Sequence, residues 1–579
     1  MITKLTIRNF KRFDEAVIPL GENVVLIGPN NAGKTTALQA LALWDVGYKA
    51  WIDKRGTGET PSKRPGIAIN RRDLISIPVP EANLLWRDRH TRSISRSEDK
   101  QNTQNVRIDI IVEGVSEGKP WECGLEFDYA NEEAFHCRPL RLVDGKNPDR
   151  MPVPNLSNVV NVAFLPPMSG LADREFLKQP GEIGVLLGQG QTAEVLRNLC
   201  YRVFAEEAPS RNWSSIVNAI RDIFGVELLD PVLRKATSEI TLAYRDRNGA
   251  EFDLSSSGRG LQQTLLLLAH LYANPHSVLL LDEPDAHLEI LRQRQIYNLL
   301  TETASRQRSQ IIAASHSEVV LNEAATKDSV VAFVGKPHCL TDRGTQVLKA
   351  LKDIGFEQYY QAEQKGWVLY VEDATDLAIL QAFAGLLKHP ARDVLKAPFV
   401  HYVATNLPSK PREHFFGIKE AKTDFVGLAL FDRIDAELRD TNGLVERMWS
   451  KREIENYFCQ ENVLLSYAGS TEPNDLFEIA EREKRLKTMR QAIEELKSAL
   501  DTIGKPEPWS DDVKASDDVL EPIFRVFSKK MGIPLVERKR DFHKLVAFLD
   551  PASVDSEVVE KLDLIVKVAG MATIPRASA

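Results

Sequence analysis

Eight residues, Gly28-Pro29-Asn30-Asn31-Ala32-Gly33-Lys34-Thr35, lie between a short apolar run (Glu22-Asn23-Val24-Val25-Leu26-Ile27) and a segment rich in Ala and Leu from Lys34 to Trp44. The pattern G-x-x-x-x-G-K-[ST] in a strand–loop–helix setting leaves a chain few options. The strand must be buried in a sheet, and the loop must bring the helix N-terminus around a phosphate, where the first N–H groups of a helix have no partner of their own. Backbone groups of Asn30, Asn31, Gly33 and Thr36 then face the phosphates, the Lys34 ammonium reaches the terminal ones, and the Thr35 hydroxyl ligates Mg²⁺. The expected cofactors are therefore ATP and Mg²⁺.

Farther along, the run Val278-Leu279-Leu280-Leu281 ends in Asp282-Glu283-Pro284. A strand that delivers two acids at its carboxyl end places Asp282 near Mg²⁺ and Glu283 where it polarises an attacking water. Between about 105 and 165 the chain alternates as strands do, the stretch of about 171–226 has helical periodicity, and strands return in EITLAYR, SVLLLDEP, QIIAASHS and SVVAFVG. The fold class expected is α/β, with a second α/β unit that opens at WVLYVED near Gly366. The ATPase unit is expected over 1–350, with a basic insertion at about 49–100 and a helical arm at about 171–226; the second unit spans 366–579.

Charge narrows the choice of partners. With 74 Lys and Arg against 82 Asp and Glu, the net charge is −8, which argues against coating nucleic acid through bulk positive charge. The balance reverses locally: Lys49, Lys54, Arg55, Lys63, Arg64, Arg71 and Arg72 face only Asp53 and Glu59, and Arg87, Arg89, Arg92 and Arg96 follow. Together with Trp51 and Trp86, this segment is a candidate to track phosphates and stack bases. Five scattered cysteines without a C-x-x-C pair suggest a reducing, cytoplasmic setting, and no leader or membrane span is expected, hence no membrane partner.

Leu254-Ser255-Ser256-Ser257-Gly258-Arg259-Gly260-Leu261-Gln262-Gln263 resembles the signature loop of ABC-type ATPases, and the run Gln310 to Ala314 ends in Ser315-His316, the place of their switch histidine. With the opening Ile7-Arg8-Asn9-Phe10-Lys11-Arg12-Phe13, the first ~350 residues resemble the ABC ATPase domain of the SMC, RecF and OLD (overcoming lysogenization defect) proteins. The resemblance implies a homodimer in which Ser257 and Gly258 reach ATP across the interface while His316 senses it within its own subunit. It also implies a Q-loop, for which Gln189 and Gln191 are both candidates.

The second unit resembles a Toprim fold on Leu369-Tyr370-Val371-Glu372-Asp373-Ala374-Thr375-Asp376, Leu428-Ala429-Leu430-Phe431-Asp432-Arg433-Ile434-Asp435 and Arg452-Glu453-Ile454-Glu455-Asn456-Tyr457. Glu372, Asp376, Asp432, Asp435 and Glu455 are the ligands this implies for Mg²⁺ or Mn²⁺. The resemblance also implies that Glu372 and Asp432 act with Lys544 in catalysis, as the resemblance of the first unit implies for Glu283 and His316 at the ATP site. Two departures stand out. Asp373 replaces the usual glycine, and Asp432 and Asp435 are three apart, so they converge only if the strand has already ended. The resemblance implies an ATP-hydrolysing, Mg²⁺-dependent DNA endonuclease with a role in defence against phage. The alternative is a sensor or scaffold ATPase, resembling PARIS-type defence ATPases, whose Toprim-like part docks a further defence protein without cutting.

Overall fold

The computed structural model describes the chain except residues 62–63, 75, 98–99, 144–147, 157–159, 207–210, 334–335, 341–354, 471–475, 536 and 574–579. The expected boundary near 350, and Lys63 of the basic segment, lie outside the described residues. The chain divides into two units, 1–348 and 349–576.

In the first unit the apolar strand Asn23–Ile27 lies inside a six-stranded sheet. Its parallel neighbours are Gln310–Ser315 and Ser329–Ala332, and Val278–Asp282 lies beyond the former. The strand that ends in the acids is thus separated from the phosphate-loop strand by the one that ends beside His316. Side chains alternate between two cores, as strand geometry requires. Val24, Leu26, Leu280, Ile312 and Ala314 face one, and Leu279, Leu281, Ile311 and Ala313 face the other. The second core is closed by the helices Leu196–Ala205, Arg259–Ala273 and Ile290–Arg306.

The helix Lys34–Arg55 closes the first core, and its other face meets an antiparallel sheet that includes Ile2–Phe10, Ile108–Ser116 and Lys119–Asn131. A helix buried on both sides needs apolar residues all round, and Ala37, Leu38, Leu41, Leu43, Trp44 and Trp51 supply them. Gly47 permits the close approach: a Cβ there would meet Cys137 Sγ and the Phe127 ring at 3.0 Å. The Gln310 carboxamide joins the two sheets, accepting from the Ile2 N–H at 2.8 Å and donating to the Ile2 and Gly21 carbonyls.

The second unit holds a four-stranded parallel sheet in the order Val400–Tyr402, Trp367–Val371, Val426–Phe431, Leu444–Met448. Leu369, Val371, Leu428 and Leu430 face a helical core, while Val368, Tyr370, Ala429 and Phe431 face a second, aromatic one. Parallel strands present their carboxyl ends on one edge, so Glu372 and Asp432 emerge side by side. Both units are α/β, the class expected. Among the described residues, no helix is long and apolar enough to cross a membrane.

Two buried imidazoles give the fold an acid limit. Burial pushes His270 down to about 4, and burial with the charge of stacked His401 pushes His414 down to about 3. A histidine held neutral in the folded state contributes stability that is intact above its unfolded value of ~6.5 and declines as pH falls towards its folded one. Between pH ~6.5 and 4, stability should drop by up to ~1.4 kcal/mol per pH unit for each. Urea unfolding at stepped pH checks this, and His414→Gln should flatten the curve.

Candidate functional site

The phosphate loop has the shape its glycines permit. Gly28 and Gly33 sit at φ 155° and 105°; a Cβ on Gly28 would meet the Phe333 carbonyl oxygen at 2.9 Å, and one on Gly33 would meet Phe13 Cζ at 2.7 Å and Arg12 Cδ at 2.8 Å. Asn30, Asn31, Gly33, Lys34, Thr35, Thr36 and Glu283 line a cavity of about 280 Å³. Lys34 is buried, and its Nζ donates to the carbonyls of Gly28 at 2.6 Å and Pro29 at 2.8 Å. Burial lowers its pKa against the raising influence of Glu283 and Asp282.

Thr35 Oγ1 donates to Asp282 Oδ1 at 3.0 Å, so the two expected Mg²⁺ ligands already touch. Burial pushes Asp282 up to about 6, the charge of Glu283 adding to it while Thr35 and Lys34 oppose it. A buried carboxylate short of positive charge, beside a hydroxyl, fits a hard divalent cation. The strand ends at Asp282, and Glu283 takes φ +50°, which turns its side chain into the cavity. Its Oε1 stands 3.8 Å from His316 Nδ1. Thus the loop, both acids and His316 converge, although their sequence positions span 28–316.

Ser257 and Gly258 lie elsewhere. They precede the helix Arg259–Ala273 and line a separate cavity of about 450 Å³ with His287, Glu289 and Arg292. The Ser257 hydroxyl donates to the Leu254 carbonyl at 2.6 Å, and Gln262 Nε2 donates to the Ser257 carbonyl at 3.1 Å, which fixes the turn. Gln189 and Gln191 are exposed after the helix Pro180–Gly188, outside the phosphate cavity. Arg12, from the N-terminal signature, is exposed and packs its stem against Gly33 of the loop.

In the second unit, Glu372 follows one strand end and Asp432 the next. The strand stops at Phe431, so Asp432 and Asp435 are free of strand alternation, but Asp435 is exposed while Asp432 is not. Burial pushes Asp432 up to about 8, reinforced by Asp376, Glu453 and Glu372 and opposed by Lys539. Burial, then Glu453 and Asp376, raises Glu455 well above the usual carboxylate range. Asp376 is pushed to about 7 by burial and by Asp373; it also has a structural duty, its Oδ2 accepting from the N–H groups of Glu372 at 2.8 Å and Asp373 at 3.3 Å. Asp373, the departure from glycine, caps the helix Ala374–Leu386 by accepting from the Thr375 N–H at 2.6 Å.

Lys544 is half-exposed and pairs with Asp541 at 2.9 Å and Glu537 at 3.3 Å. Lysines nearer the acids are Lys539, for which burial works to lower the pKa but Glu455, Asp517 and Glu453 outweigh that and raise it, and Lys514, raised first by its bond to Asp517 and also by Glu453 and Glu372. Sequence reasoning also left Glu453 out of the ligand set, although it is buried beside Glu455. Among the described residues no three His, Cys, Asp or Glu side chains stand ready to hold a metal ion. The donor set itself fits one, since these are oxygen donors whose mutual repulsion, sharpened by burial, a divalent cation relieves.

The basic segment needs a correction. Trp51 and Trp86 are each 1% exposed, packed in the core, and cannot stack on bases. Arg71 pairs with Glu133 and Arg87 with Asp14, at 2.9 and 3.0 Å. Both rings serve the core, and part of the positive charge is already neutralised.

Comparison with known proteins bears on this geometry. The family described as "AAA ATPase domain" matches residues 1–65, which hold the phosphate loop. The family described as "AAA domain, putative AbiEii toxin, Type IV TA system" matches 209–322, which hold the signature turn, the acids and His316. The OLD nuclease of Thermus scotoductus is 25% identical over 338 residues, covering 55% of this chain and 59% of the relative. The chain thus spans about three-fifths of the length of that curated relative. The SMC head domain from Thermotoga maritima (16% identity, TM-score 0.32) covers 58% of this chain and 98% of its own. A Pyrococcus furiosus Smc head domain with an extended coiled coil, bound to the C-terminal domain of ScpA (14%, TM-score 0.33), covers 61% and 99%. At those scores the structural likeness carries no weight here.

Proposed function

We propose, from the premise that this chain is an AAA-type ATPase related to the OLD nuclease, that it is an ATP-dependent, Mg²⁺-requiring DNA endonuclease that acts in the cytoplasm in defence against phage. The observation that carries the nuclease reading is the set of acids at neighbouring strand ends, half-buried Glu372 and Asp432 with the buried Glu453 and Glu455 beside them. Glu372, Asp432 and Glu455 would hold Mg²⁺ or Mn²⁺, which when bound supplies charge to activate water and stabilise a leaving phosphate oxygen. Lys539 faces the same acids and supplies a cation for the phosphodiester. At the ATP site Lys34, Thr35 and Asp282 would hold the nucleotide and its Mg²⁺, and Glu283 takes the proton of the attacking water. Ser257 and Gly258 stand outside the phosphate cavity, which supports a second copy of the chain completing each site.

The docking reading is favoured by one observation, that the described acids are not already at ligand positions. A single assay separates the two. Supercoiled plasmid with Mg²⁺ or Mn²⁺ and ATP should be nicked or cut by the wild type, and by the Glu372→Ala, Asp432→Ala double variant about 10³-fold less, since such centres lose most of their rate with the metal. Equal plasmid loss in both proteins, or none in either while ATP is hydrolysed, would favour docking.

A further inference from the structure

We propose that Asn406 is the positioning residue of the acid centre in the second unit, one carboxamide that ties the Glu372 carboxylate to the backbone of Asp432 and so sets the pair for a divalent cation. The inference rests on the cation reading above and deepens it. Asn406 Nδ2 donates to Glu372 Oε2 at 2.6 Å, and its Oδ1 accepts from the Asp432 N–H at 3.3 Å. Glu372 and Asp432 both lie just past the ends of their strands, where strand alternation no longer sets the direction of their side chains. They are two half-buried carboxyl groups at the ends of adjacent strands, so when both ionise to hold a cation their repulsion works to separate them.

The carboxamide is a neutral group suited to this task. It offers a donor to one acid and an acceptor to the backbone of the other, and adds no charge of its own. With Oε2 engaged, Glu372 Oε1 is the oxygen left for a cation. Asn406 is itself anchored. Its turn leaves the strand Val400–Tyr402, whose extension pairs with the Glu372 strand through Val403 N–H to Val371 O at 3.0 Å and Ala404 N–H to Glu372 O at 2.9 Å. Ala404 takes φ +55°, a left-handed turn that an alanine adopts only when its surroundings impose it. Groups that hold a metal's carboxylates in place commonly set its affinity without touching the metal.

The test is Mn²⁺ binding by the full chain without nucleotide, read from the electron paramagnetic resonance of free Mn²⁺. Binding that disappears in Glu372→Ala defines the acid centre. Asn406→Ala and the near-isosteric Asn406→Leu should each weaken that binding by about 10- to 100-fold, and Asn406→Gln, which keeps the carboxamide, should recover part of it. Thermal unfolding midpoints should match the wild type in Leu and Gln, so that the two remain informative if the alanine variant folds poorly. Asn406→Leu binding Mn²⁺ within about threefold of wild type would reduce Asn406 to a turn residue and leave the cation reading standing. No Glu372-dependent binding in the wild type would overturn the cation reading and this inference together.

Discussion

Lys34→Ala should lower ATP turnover by about 10²–10³-fold, the scale set by losing one preorganised cation from a water-poor phosphate site. The effect has two sources. The ammonium that would neutralise the terminal phosphates goes, and so does the tie it makes to the Gly28 and Pro29 carbonyls, which shapes the loop in the nucleotide-free state. Lys34→Arg should not restore activity, because the ammonium is buried in a space bounded by those carbonyls and a planar guanidinium cannot reproduce its contacts. Phosphate release at saturating ATP, with nucleotide affinity by calorimetry, checks both. Turnover within a few-fold of wild type would move the hydrolytic site away from this loop.

Glu283→Gln separates binding from chemistry. The substitution keeps the size of a side chain whose backbone sits at φ +50° but removes the carboxylate proposed to take the proton from water. Hydrolysis should fall by about 10²–10⁴-fold while ATP affinity stays close to wild type. ATP-bound protein then accumulates, and if a second copy completes the site, sedimentation should show ATP-dependent dimers that persist. A variant that loses affinity as much as rate would assign Glu283 to nucleotide or metal binding. His316, 3.8 Å away, makes a useful contrast: His316→Ala should lower the rate while Glu283 remains in place.

Residues whose roles follow from local order were readable in the sequence. The phosphate loop and Asp282-Glu283 sit at the ends of continuous apolar strands, and in a parallel sheet all such ends share one edge, so placing the strand places the chemistry. Asp432 follows the same logic. What escaped was settled by the exits from regular structure. Lys544 and Lys539 are five apart in the 3₁₀ stretch Lys539–Phe548, where the winding, not the composition, decides which one faces the acids. Asp373 reads as a lost glycine or an added ligand, but its oxygen caps a helix. Asn406 carries no motif, and its contacts with Glu372 and Asp432 span 34 and 26 residues of sequence. Trp51 and Trp86 were misread because a basic neighbourhood says nothing about which way a ring points; both point into the core.

The helix that begins at the phosphate loop is shared by two sheets, and the Gln310 carboxamide bonds the outer strand Ile2–Phe10 to the inner one. The first ten residues are therefore not a trimmable edge. Losing them would strip apolar cover from the helix and leave the Gln310 amide without its Ile2 partners, so their removal should loosen the helix that carries the phosphate loop.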